Sequence, residues 1–259
     1  MTKVLLITSG GGGVGKTTTA VNLATALKEF GRDVILVDLN LESADISLRL
    51  GAFKLPVALQ DVIKEDKSVS EALYMHPSGL RIIPTKISSK HKISIKDVDK
   101  VISWLVGKTE LVILDSPTVF NSDLIEFLDN IDEVVLITTA EEHAVIKTLK
   151  AINKLEEKNV KVIGVVVNKF GNNPHEMKLK DITNFLEKPI LGVIRNDDVL
   201  KEALKIKHPI VYSHPESSLS QDFKKLAASI LGEKYEEKLE EEEKQSLFHY
   251  VLKMLGLRK

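Results

Sequence analysis

Short, uninterrupted apolar runs recur along the chain at Val4–Thr8, Val34–Asp38, Leu80–Pro84, Leu111–Asp115, Glu133–Thr138, Val160–Asn168 and Pro189–Ile194. They are rich in Val, Ile and Leu and lack the polar alternation of a strand with one wet face. Such runs predict strands buried on both sides. Between them, apolar positions return at helical spacing over Thr17–Phe30, Ile95–Val106, Asp123–Asp129, Ala144–Lys158, His175–Leu186, Val199–Lys205 and Ser220–Leu231. The alternation predicts an α/β fold, a mostly parallel sheet of seven to eight strands with helices on both faces. Right-handed crossovers gather the strand C-termini at one edge, where sheets of this kind hold their ligands. Residues 51–78 read as small helices inserted between strands.

The pattern changes after Gly232. A charge run, "EKYEEKLEEEEKQ", follows, and then a short apolar tail, "SLFHYVLKMLGLRK". The expected division is a folded domain over 1–231, a charged linker over 232–245 and a C-terminal helix over 246–259.

Composition narrows the chemistry. The 259 residues carry a net charge of −1, so the molecule as a whole does not attract nucleic acid. There is no cysteine, which excludes disulfides, thiolate metal sites and cysteine nucleophiles. "MTKVLLITSG" does not resemble a secretion signal, and no stretch approaches the roughly 20 apolar residues of a membrane span. A cytoplasmic protein is the expectation.

The first strand runs into "TSGGGGVGKTTTA". Gly10-x-x-x-x-Gly15-Lys16-Thr17 fits the phosphate-loop pattern, in the strand–loop–helix context that the pattern requires. Glycines let the backbone turn its N–H groups inward around phosphate oxygens, and the following helix adds its positive N-terminal end. Gly10, Gly11, Gly12, Gly13, Val14, Gly15, Lys16, Thr17 and Thr18 are therefore the expected phosphate cradle. Lys16 is expected to reach the β- and γ-phosphates, and the Thr17 hydroxyl to bind Mg²⁺. Asp115, at the end of a buried strand in "LVILDSPTV", suits a Mg²⁺-water ligand.

"GGGVGKTT", "VILVDLN", "LVILDSP", "VIGVVVNK" and "ILGVIRNDD" come in the order and spacing of the MinD/ParA family of deviant P-loop ATPases, and "ILGVIRNDDVLKEALKIKHPIV" looks closest to its MinD branch. The resemblance covers residues 1 to about 231, and the tail resembles that branch too. It implies a P-loop NTPase fold of the SIMIBI type, ATP or ADP with Mg²⁺ as the bound species, and a nucleotide-dependent homodimer. It also implies a protein regulator or cargo that no motif identifies. Family loops read K-G-G-x-G-K-[ST], and their first lysine reaches across the dimer to the partner's nucleotide; here that position is Gly11. The family's second aspartate after the second strand, which positions the attacking water, is replaced by Asn40; Asp38 matches the first. An amide holds a water but cannot take its proton, and Glu42 and Asp45 are the nearby carboxylates. The family's D-x-P-A-G continues here as Asp115-Ser116-Pro117-Thr118-Val119, and valine does not readily adopt glycine's positive φ. Asn168 matches the asparagine that hydrogen-bonds adenine. Arg195 stands where proline is common, and it either stacks on the base or faces water. The binding half of the site is thus intact, with Lys16, Asp38 and Asn40 the expected catalytic positions, while the hydrolytic half departs at Gly11, Asn40 and Val119.

On a helical wheel, Leu247, Phe248, Tyr250, Val251, Leu252, Met254, Leu255 and Leu257 fill one broad arc, while Ser246, His249, Lys253 and Gly256 fall on the remaining face; Lys244, Lys253, Arg258 and Lys259 are basic, and no acidic side chain lies beyond Glu243. A short basic amphipathic helix after a polar linker suits an anionic membrane surface. Residues 246–257 are the expected lipid contact, placing the protein peripherally on the inner face of the cell membrane. The sequence thus predicts a slow Mg²⁺-dependent ATPase acting as a membrane-associated positioning switch. The alternative is a nucleotide-binding membrane scaffold without turnover. A DNA-partitioning role fits the charge poorly.

Overall fold

The computed structural model describes residues 2–41, 43–52, 55–64, 67–86, 94–117, 124, 127–171 and 173–235. Eight strands form one sheet: β1 Lys3–Thr8, β2 Val34–Asp38, β3 Tyr74–Met75, β4 Arg81–Ile83, β5 Leu111–Asp115, β6 Glu133–Thr138, β7 Val162–Phe170 and β8 Ile190–Arg195. Their spatial order is β3-β4-β2-β5-β1-β6-β7-β8. All neighbours pair in parallel except the edge strand β3, which runs antiparallel to β4.

Both faces of the sheet are apolar, and the period-2 geometry of a strand divides its residues between them. On one face, Val4 and Leu6 of β1 join Val112 and Leu114 of β5 under α3 (Leu59–Lys64), α4 (Asp99–Leu105), α5 (Glu142–Glu156) and α6 (Leu179–Leu186). On the other, Leu5, Ile7, Leu111 and Ile113 pack with α1 (Lys16–Glu29) and the C-terminal helices α7 (Val199–Lys205), α8 (Ile210–Ser213) and α9 (Ser218–Leu231). Burying such a side chain contributes roughly 1.5–3 kcal/mol, so the doubly covered strands carry the stability of the sheet. One short helix, α2 (Asp45–Arg49), follows β2.

The expected strands form within two residues of their predicted limits, and the α/β architecture is the one predicted. Three expectations need correction. Residues 51–78 hold one helix, α3, among the described residues, and end in the strand β3 rather than in a helix. The helix expected over Ile95–Val106 is split: a 3₁₀ turn over Ile95–Val98 precedes α4, with the Asp97 carboxylate accepting from the Ser94 N–H at 3.1 Å. The helix expected from His175 begins only at Leu179, after the Met177 N–H has bonded to the Ala140 carbonyl at 2.8 Å. The helix expected over Asp123–Asp129 lies largely outside the described residues, and its end is a 3₁₀ turn over Leu128–Asn130. The linker beyond Tyr235 and the tail lie wholly outside them.

Candidate functional site

The strand order places β1 between β5 and β6, so the loop after β1 leaves the centre of the sheet at its C-terminal edge. α1 begins directly behind this loop. Gly15 is the residue before α1 and has φ 95°, a left-handed conformation that favours glycine. Any side chain there would also collide with the Asn168 amide. Lys16, Thr17 and Thr18 form the first turn of α1 and are all buried.

The loop is held from three directions. From within, the Ser9 hydroxyl donates to the Gly11 carbonyl at 2.6 Å and receives the Lys16 ammonium at 3.1 Å. From β7, the Asn168 amide donates to the Val14 carbonyl at 2.7 Å, and the Lys169 ammonium to the Gly13 carbonyl at 2.7 Å. Lys169 lies at an irregularity in the β7–β8 pairing and has φ 59°, which turns its side chain back towards the loop. From the far side, α5 lies so close that a Cβ on Gly10 would strike the backbone carbonyl of Lys147. Gly10 is thus required by a close approach rather than by an unusual φ.

Two aspartates end adjacent strands, paired in register as Asp38 and Asp115, and both are fully buried. Their hydrogen-bonding states are opposite. Asp38 accepts from the Asn40 N–H at 2.9 Å, the Thr85 hydroxyl at 2.8 Å and the Ile46 N–H at 3.4 Å. It is thereby committed to holding the β2–α2 loop. Asp115 has no hydrogen-bond partner on either carboxylate oxygen among the described residues. The Thr17 hydroxyl lies against it, short of a well-formed hydrogen bond, and the charges of Lys16 and Arg49 favour its ionised form only in part. Burial, followed by the nearby Asp38 charge, raises its pKa to about 8. Burial likewise raises Asp38 to about 7, against the pull of its three hydrogen bonds. Lys16 is lowered by burial, opposed by Asp115 and Asp45. A buried carboxylate without partners is costly unless a cation or proton meets it. Asp115 beside Thr17 is therefore a fitting place for a hard divalent ion with oxygen ligands.

Asn40 does not stand alone. Its side-chain amide donates to the Asp45 carboxylate at 3.0 Å, so Asp45, at the start of α2, joins the site as the nearest described proton acceptor to that amide. Glu42, Thr118 and Val119 lie outside the described residues. Arg195 is exposed, in keeping with the water-facing one of its two expected arrangements, and its guanidinium also forms a bidentate pair with the buried Asp222 of α9, at 2.7 and 2.8 Å, while its own N–H bonds the same carboxylate at 3.0 Å. The structure thus gathers Gly10–Thr18, Asp38, Asn40, Asp115 and Asn168 at one sheet edge and adds Ser9, Asp45, Lys147 and Lys169. Of these additions, only Asp45 carried a signal in the sequence; a serine and two lysines on separate elements declare their proximity only once the chain is folded.

A family model described as the CobQ/CobB/MinD/ParA nucleotide binding domain matches residues 5–210. The chain is 28% identical over 260 residues to an uncharacterized ATP-binding protein of Methanocaldococcus jannaschii, covering 100% of this chain and 98% of that one. It is 28% identical over 274 residues to the septum site-determining protein MinD of Bacillus subtilis, covering 100% of both. Among solved structures, the septum site-determining protein MinD of Pyrococcus horikoshii, complexed with Mg-ADP, superposes with a TM-score of 0.81 at 30% identity, covering 89% of this chain and 96% of that one.

Proposed function

The chain belongs to the CobQ/CobB/MinD/ParA nucleotide-binding family, and from that premise we propose that it is a MinD-like ATP-binding switch with slow Mg²⁺-dependent hydrolysis. The observation that carries this reading is the buried Asp115 carboxylate, without hydrogen-bond partners among the described residues, beside Thr17 and within electrostatic reach of Lys16. The loop N–H groups and Lys16 bind the phosphates, with Ser9 holding the Lys16 ammonium in place. Thr17 and Asp115 would hold the divalent ion, which when bound neutralises phosphate charge and orients the terminal phosphoryl group. Asp38 positions the β2–α2 loop through its three hydrogen bonds. Asn40 orients a water, and Asp45, bonded to Asn40, accepts the proton that an amide cannot. Accepting through a neighbour rather than directly is the reason for slow turnover. In this reading Asn168, whose amide also holds the Val14 carbonyl, contacts adenine, and Arg195, paired with Asp222, flanks the base.

The tail over 246–257 is the proposed lipid contact, and a nucleotide-dependent homodimer would double it. This makes the protein a peripheral membrane switch that positions a partner; the Bacillus relative, named a septum site-determining protein, points towards cell division.

A second reading has its own observation: the Asn40 amide is already engaged by Asp45, which is compatible with a scaffold that binds nucleotide without turning it over. Phosphate release decides between them. Purified protein with Mg²⁺ and ATP, in the presence of anionic vesicles, is expected to release phosphate above a Lys16→Ala control. Binding without release above that control selects the scaffold.

A further inference from the structure

Gly11 has no side chain, yet the space beside it is filled from another element. A Cβ on Gly11 would meet the Lys147 side chain of α5, with Cδ at 3.2 Å and Nζ at 3.8 Å. The φ of Gly11 lies outside the left-handed region, so the backbone does not call for glycine there. What the bare position provides is room for the stem of Lys147. Gly10 sets the approach, because only a residue without Cβ lets the α5 backbone at 147 lie against the loop. The two glycines therefore act in sequence: Gly10 admits the helix, and Gly11 admits its lysine.

The ammonium that arrives there is available. Lys147 is exposed, and no hydrogen bond or ion pair holds it among the described residues. Lys169 also reaches the loop from outside, but its ammonium is engaged by the Gly13 carbonyl. Gly11 lies at the end of the loop marked by Lys16, since one hydroxyl, that of Ser9, bonds both the Gly11 carbonyl and the Lys16 ammonium. In a loop of this pattern, that lysine marks the β- and γ-phosphates.

We propose that Lys147 is the second cation of this site: its ammonium, delivered from α5 past the bare Gly11, binds the terminal phosphate of a nucleoside triphosphate. The proposal rests on the nucleotide-binding reading above. The terminal phosphate belongs either to the nucleotide in the same loop or to one carried by a second copy of the chain, and the chemistry of the contact is the same. A diphosphate lacks those oxygens, so the contact favours the triphosphate.

The test compares binding of a fluorescent non-hydrolysable ATP analogue with that of the matching ADP analogue, both with Mg²⁺. A charge-assisted hydrogen bond to phosphate predicts that Lys147→Gln weakens the triphosphate by about tenfold and leaves the diphosphate nearly unchanged. Lys147→Arg should keep most of the preference, and Lys150→Gln, a turn further along the same helix and also exposed, should keep all of it. Equal loss for both nucleotides, or no loss, overturns the proposal. Triphosphate-specific loss at every protein concentration assigns the contact to the chain's own loop, whereas loss only where dimers form assigns it to a second copy. A wild type that holds neither nucleotide, and behaves as Lys16→Ala does, defeats the nucleotide reading itself and the proposal with it.

Discussion

At the residue scale, Asp38 and Asp115 share burial and register but differ in what meets their oxygens, and that difference has a pH signature. Both carboxyls have folded-state pKa values raised by burial, to about 7 and about 8. A raised acid binds its proton more tightly in the folded chain. Its contribution to stability is fully present below the unfolded value near 4 and is lost as pH rises through the folded value. In EDTA and without nucleotide, the melting temperature should therefore fall as pH rises from 6 to 9. Asp115→Asn removes one of the two titrations while keeping the shape, so its decline should be visibly shallower and the variant should be the more stable at pH 9. Mg²⁺ and ATP together should raise the melting temperature of wild type and not that of Asp115→Asn. Parallel curves for the two proteins from pH 6 to 9 would defeat this assignment. The aspartates themselves are legible in the sequence, because a carboxylate ending an otherwise apolar strand is conspicuous. Which of them is already satisfied is not, because Thr85 and Ile46 come to Asp38 from separate elements.

At the element scale, the phosphate loop depends on two neighbours, β7 and α5. The β7 contact is a pair of adjacent side chains, Asn168 and Lys169, each bonded to a loop carbonyl. Asn168→Ala should loosen the loop without unfolding the buried strand behind it. Hydrogen exchange should rise at residues 11–15, and nucleotide affinity should fall by about tenfold, the scale of one or two lost hydrogen bonds. Unchanged exchange there would mean that the β7 contact does not restrain the loop. The α5 contact is steric. Gly10→Ala forces a methyl group into the α5 backbone, where overpacking typically costs about 1–3 kcal/mol. Thermal unfolding should register that loss, with nucleotide binding impaired at temperatures where the variant is still folded. The helices and strands that make these contacts follow from apolar periodicity. The departures from prediction, a two-residue edge strand at Tyr74–Met75 and a 3₁₀ start before α4, occur where segments are too short for any period to emerge. The approach of α5 to Gly10 has no local signal at all, since a glycine needed for a turn and one needed for contact read alike.

At the scale of the whole molecule, the folded domain and the tail pose a question of coupling. None of the described helices is long and apolar enough to cross a membrane. In the proposed reading, attachment is the work of residues 246–257, which lie outside the described part. A single short amphipathic helix binds a bilayer weakly and reversibly. Two such helices on one dimer bind with avidity, because the second insertion is intramolecular. Nucleotide state can therefore control membrane residence through assembly alone, without any change in the tail. The consequence is testable by co-sedimentation with anionic vesicles at a fixed protein concentration. ATP with Mg²⁺ should increase the bound fraction several-fold over ADP, and light scattering under the same conditions should report doubled mass. A chain ending at Gln245 should still double its mass with ATP but remain in the supernatant with either nucleotide. Lys16→Ala should do neither, since it fails upstream of assembly. If the truncated chain sediments as well as the full one, the membrane contact belongs to another surface. If the full chain binds equally with ADP and ATP, attachment is constitutive, and the switch that the phosphate loop implies must act on a partner rather than on the lipid.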